Sequence, residues 1–159
     1  MTKKSWLCPA AVIVLAAALL ALALKFVAGP TPVTAKDGRK AIVLAPEERG
    51  LILTEMRGFL SGIQTLTTAL TQEDMKTVAA TARSLGRAAT HEVPPALMAK
   101  LPLEFKQLGF SVHGDFDQIA LDAESLADPK HTLAQLGAVM QKCVGCHATY
   151  QLQSAPAAK

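Results

Sequence analysis

The chain has 159 residues, half of them hydrophobic but only 4% aromatic, with alanine and leucine dominant. That composition favours helix over sheet, and the length allows one domain plus a targeting or anchoring segment. Lys3, Lys4 and Lys25 account for the whole formal charge of +3, since the basic and acidic residues beyond position 35 balance; this excludes the basic stripe that nucleic-acid binding requires.

Residues 1–28 read as a signal-anchor or transmembrane segment. Lys3 and Lys4 precede an uncharged run from Leu7 to Leu24. As a helix this run spans about 27 Å, close to the hydrocarbon thickness of a bilayer. Lysines ahead of it place the N-terminus in the cytoplasm and send the remainder across. The run is longer than the apolar core of a cleaved signal peptide, although Val33-Thr34-Ala35 offers a small-x-small cleavage site that would release residues 1–35. Either outcome delivers the domain to the periplasmic side of a bacterial inner membrane, anchored or soluble. Cys8 opens the apolar run and reads as a small apolar residue within it.

Residues 29–45 hold Gly29, Pro30, Pro32 and Gly38 and read as a linker. The domain proper is 46–159, with four helical patterns and no internal repeat. The first starts at Pro46, with Glu47 and Glu48 in its first turn, where the helix dipole favours negative charge. Its stripe is Leu53, Met56, Leu60, Ile63 and Leu70. Thr71-Gln72-Glu73-Asp74 breaks and restarts the helix, with Thr71 as cap. The second stripe is Met75, Val78, Ala82, Leu85 and Ala89, and Pro94-Pro95 ends any helix before it. A connection containing Met98 runs to Pro102. The third stripe is Phe105, Leu108, Val112, Phe116, Ile119 and Leu126, weakened locally by Gly109 and Gly114.

Asp128-Pro129 starts the fourth helix, a capping residue followed by proline at the first helical position. Leu133, Leu136, Met140, Cys143, His147 and Tyr150 follow at spacings of three and four, which places the first cysteine and the histidine on the inward face. Four amphipathic helices with short connections predict an all-α, antiparallel four-helix bundle.

Cys143-Val144-Gly145-Cys146-His147 is the chemistry-bearing stretch. It reads C-x-x-C-H, the attachment signature of a c-type haem. Two thiols at this spacing can bond to the two vinyl groups on one porphyrin edge, and the adjoining imidazole then reaches the iron. Three other readings compete. A thioredoxin-like pair opens a helix after a strand, and no strand pattern precedes this one. A structural zinc site needs four ligands, and the only further cysteine is Cys8. A plain disulfide leaves His147 idle. No acid/base pair or nucleophile constellation marks an enzyme.

A haem motif near the end of the last of four helices, with Tyr150 three residues after His147, resembles the class II c-type cytochromes, the group of cytochrome c′ and the cytochromes c-556. The resemblance covers roughly residues 46–154. It implies one haem c inside the bundle, bound by Cys143 and Cys146 with His147 as proximal ligand and its open face toward the first helix. It also implies that Met56 is the sixth ligand, as in the c-556 members; a thioether suits haem iron and raises its potential. Met140, Met98 and Met75 are weaker candidates, and His113 is an alternative second axial ligand. His91 and His131 sit near helix ends. Family members often carry an arginine on the first helix near a haem propionate, a role open to Arg49 or Arg57. The basic residue that often follows the aromatic is here Gln151.

With both axial positions filled, the expected function is electron transfer with redox-protein donors and acceptors outside the cytoplasm, reached from the membrane where the anchor is kept. The alternative is a cytochrome c′-like module that binds NO or CO at five-coordinate iron. Relatives pair through their first two helices, so the resemblance adds a homodimer.

Overall fold

The computed structural model describes residues 4–155; the side chains of residues 4–8 and of His91 and Glu92 lie outside the described set, and with them the expectations placed on Lys3, Lys4, Cys8 and His91. The chain is mostly helical, with one small sheet. Helix α1 spans Lys4–Ala28. Within it, Pro9–Ala28 is long and apolar enough to cross a membrane, and all its side chains are exposed. It ends at Gly29, whose N–H caps the Lys25 carbonyl at 3.1 Å. Gly29 has φ +68°, and a Cβ there would collide with the Leu101 carbonyl, so two requirements converge on glycine. Lys106 donates to the Val27 carbonyl at 2.7 Å, tying the end of α1 to the domain.

Residues 29–45, expected as a linker, contain two strands. β1 (Val33–Thr34) and β2 (Lys40–Leu44) form an antiparallel pair that turns at Gly38, φ +85°. The last strand, β3 (Tyr150–Ser154), adds to β2 in parallel, Lys40 opposite Tyr150 and Leu44 opposite Ser154, giving the order β1-β2-β3.

Between β2 and β3 lie the helices. α2 spans Pro46–Thr71, with Pro46 at its first position. Glu48 in its first turn accepts from the Ala45 N–H at 3.1 Å and pairs with Lys100 at 2.6 Å. α3 spans Met75–Ser84. Its cap is Asp74, whose carboxylate accepts from the Thr77 N–H at 3.0 Å; Thr71, the expected cap, is still inside α2. α3 is also shorter than its stripe suggested. It stops before Gly86, and Arg87–Glu92 continue as a 3-10 helix. A Cβ at Gly86 would strike the Asp117 carboxylate, which accepts from the Arg87 N–H at 3.2 Å. Close approach to the next long helix thus sets the break. A short α4 (Pro95–Met98) fills the expected connection, followed by α5 (Leu103–Ser125) and α6 (Pro129–Thr149).

Two apolar clusters hold these elements. The larger joins α2, α3, α5 and α6 through Leu66, Val78, Ala82, Phe116, Ile119, Leu136 and Val139. The smaller joins the sheet to α2 and α4 through Ile42, Leu44, Ile52, Leu97, Leu101 and Tyr150. Burying side chains of this size contributes about 1.5–3 kcal/mol each.

Candidate functional site

The α6 helix starts as its sequence indicates: Asp128 accepts from the N–H groups of Lys130 and His131 at 2.9 and 3.1 Å, with Pro129 at the first position. Its inward face differs from the expected one. Thr132, Leu136 and Val139 are buried, whereas Leu133 and Met140 are 55% and 44% exposed. Continued at the same spacing, the buried stripe reaches Cys143, Cys146 and Tyr150. His147 stands beside that line with an exposed side chain. The two candidate stripes share Leu136, Cys143 and Tyr150, so a three-four spacing cannot separate them.

Both thiols are free and half-buried, less than one helical turn apart. Cys143 packs against the larger cluster and Cys146 against the smaller, so the pair sits where the two cores meet. Burial pushes both thiols up from their ordinary range, and for Cys146 the neighbouring Cys143 adds to it. Each is therefore a neutral thiol at pH 7. A redox-active C-x-x-C pair needs the opposite, a thiol lowered toward thiolate. Among the described residues no three His, Cys, Asp or Glu side chains gather to hold a metal ion, so the zinc alternative finds no donor set there.

Met56 lies on α2, half-buried in the smaller cluster together with Cys146. That cluster also takes in Met98 from α4, a second thioether. Met98 is a weaker candidate by sequence because Pro94-Pro95 hides the short helix that carries it. Met140 lies on α6 itself, partly in solvent, and Met75 packs against the larger cluster.

The histidines separate clearly. His113 is buried, with Nδ1 2.7 Å from the Leu85 carbonyl and Nε2 3.1 Å from Glu55, so both ring nitrogens are engaged. His131 is exposed, 3.2 Å from Asp122. Arg49 donates to the Leu152 carbonyl at 3.2 Å, and Arg57 to the Thr54 hydroxyl at 2.8 Å. An arginine outside the expected set is closer to the motif: Arg39, in the former linker, donates to the His147 carbonyl at 3.2 Å. No local sequence signal could have found it, because its partner is more than a hundred residues away.

The residues fit a haem c on two counts. Two free thiols have the required spacing on one helix. An exposed imidazole follows directly. By contrast, a groove of about 460 Å³ between α1 and α4, lined by Leu22, Phe26, Pro30 and Lys100 among others, has no motif residue in its wall.

No family model, curated protein or solved structure matches the chain.

Proposed function

We propose that the chain is a c-type cytochrome that carries electrons on the periplasmic side of a bacterial inner membrane, held there by α1. Cys143 and Cys146 would hold one haem c through thioether bonds, His147 would be its proximal ligand and Met56 its distal one. α2, α3, α5 and α6 would form the antiparallel four-helix bundle of a class II cytochrome. The observation that carries this reading is the end of α6: two free, neutral thiols at C-x-x-C spacing, an adjoining imidazole, and Cys146 in the same apolar cluster as Met56.

The group would supply one-electron chemistry when bound. The chain's own residues do the rest. His147 and Met56 would both be committed to the iron, which would favour the ferrous state and leave no coordination site for substrate, as suits a carrier and not an enzyme. The apolar clusters that Cys143 and Cys146 pack against would lower the local dielectric at the attachment edge. Partners are redox proteins at or beyond the same membrane face.

A second reading rests on one observation. Met56 is packed as a core side chain, and a methionine so placed can remain filler. The iron would then be five-coordinate and open to NO or CO.

Absorption spectra of the oxidised and reduced protein decide between them. Electron transfer requires a low-spin ferric form with a methionine–iron charge-transfer band that Met56→Ala abolishes. A high-spin wild type that takes up CO at once supports the gas-binding reading. A low-spin spectrum unchanged by Met56→Ala removes Met56 and turns attention to Met98.

A further inference from the structure

The side chain of His147 is exposed, so packing does not orient it. Its handle is the backbone, at the end of a helix whose last carbonyls have no partner within the helix. Two of these carbonyls are nevertheless satisfied. That of Cys146 accepts from the Tyr150 N–H. The His147 carbonyl accepts from Nη1 of Arg39 at 3.2 Å, and the same nitrogen reaches the Tyr150 carbonyl at 3.4 Å.

The other edge of the Arg39 guanidinium is held as well. Nε and Nη2 lie 2.8 and 2.7 Å from one oxygen of Asp37, whose second oxygen accepts from Gln151 at 2.7 Å. The turn between β1 and β2 therefore grips both the end of α6 and the start of β3. A planar fork held along two edges is pre-organised, whereas a lysine supplies charge without the fork.

We propose that Arg39, braced by Asp37, is a positioning residue for His147. It fixes the peptide that carries the imidazole and holds the Arg39–Asp37 ion pair beside that peptide. The proposal rests on the reading of His147 as a haem ligand and deepens it: the pose and electrostatics of the site are set from a turn on the far side of the chain.

The test uses the full chain in detergent, prepared with and without haem attachment. The variants are Arg39→Ala and Arg39→Lys, with Arg83→Ala as control, since Arg83 also pairs with an acid at the surface, Glu124 at 2.6 Å. In the haem-free chain, Arg39→Ala should speed amide exchange over residues 147–152 by about tenfold, the size of one charge-assisted hydrogen bond, and leave Leu136 and Val139 protected. In the haem-loaded chain it should lower the reduction potential, because the Asp37 carboxylate is left without its cation. Arg39→Lys should restore the potential but not the exchange protection. Faster exchange with an unmoved potential reduces Arg39 to a strand anchor and overturns the proposal. So does haem uptake with Arg39→Ala indistinguishable from Arg83→Ala. A wild-type chain that takes up no haem overturns the functional reading first, and this proposal with it.

Discussion

His113 has two acceptors and no donor among its ring partners. The Leu85 carbonyl faces Nδ1 and the Glu55 carboxylate faces Nε2, while the ring of Phe59 lies tilted at 5.0 Å. Below its raised pKa both nitrogens donate, and the pair is imidazolium with carboxylate. Burial alone would lower the pKa of His113, but the Glu55 and Leu85 bonds outweigh it and hold it above its ordinary value of 6.5. A raised folded pKa means stabilisation that is complete below about 6.5 and fades as pH rises through the folded value. Urea unfolding should therefore show wild type losing stability above neutral pH, and Glu55→Gln should flatten that slope; parallel pH profiles would contradict it. His113→Ala should cost about 1–3 kcal/mol at pH 6 by breaking a buried, hydrogen-bonded pair. At the α5–α6 turn, Ala127 sits at φ +49°, a region that favours glycine. Ala127→Gly should raise stability by up to about 1 kcal/mol, seen as a higher urea midpoint at constant slope.

Helix α6 shows how far its element could be read. Its start at Asp128-Pro129 was legible because capping is local chemistry. Its face was not, since two stripes fit the spacing equally well and only contact with α5 and α2 selects one. The choice is measurable. Val139 is 1% exposed, and Val139→Ala should cost about 1–2 kcal/mol. Leu133→Ala should change stability by less than about 0.5 kcal/mol, since the side chain is mostly in water. The reverse ranking would restore the stripe through Leu133, Met140 and His147. The sheet escaped for another reason. β2 is five residues inside a stretch rich in glycine and proline, and its parallel partner is distant in sequence. A period-two signal is present all the same: in β3, Tyr150 and Leu152 face the core while Gln151 and Gln153 alternate with them, but Tyr150 also fits the helical spacing of the residues before it.

On the scale of the whole molecule, the strands bear on the fate of α1. Cleavage after Ala35 would remove β1 and leave β2 as an unprotected edge, and it would also delete Gly29, which seats against Leu101. The structure thus gives residues 29–35 contacts with the domain that an intact chain would keep. Protein from membranes should carry its N-terminus and resist carbonate extraction; a soluble product starting at residue 36 would show that the domain closes without β1. What composition and periodicity made legible was the apolar lead helix and the helical body. The smaller core arises from contacts between the two ends of the domain, and no window of sequence contains both.

The proposed porphyrin would be joined to α6 through two sulfurs, a bond that intact mass after thiol alkylation under denaturing conditions reads out. Protein matured in a host that attaches haem should show the chain plus one haem, with Cys143 and Cys146 unreactive. The bare chain, alkylated at both Cys143 and Cys146, would rule that bond out.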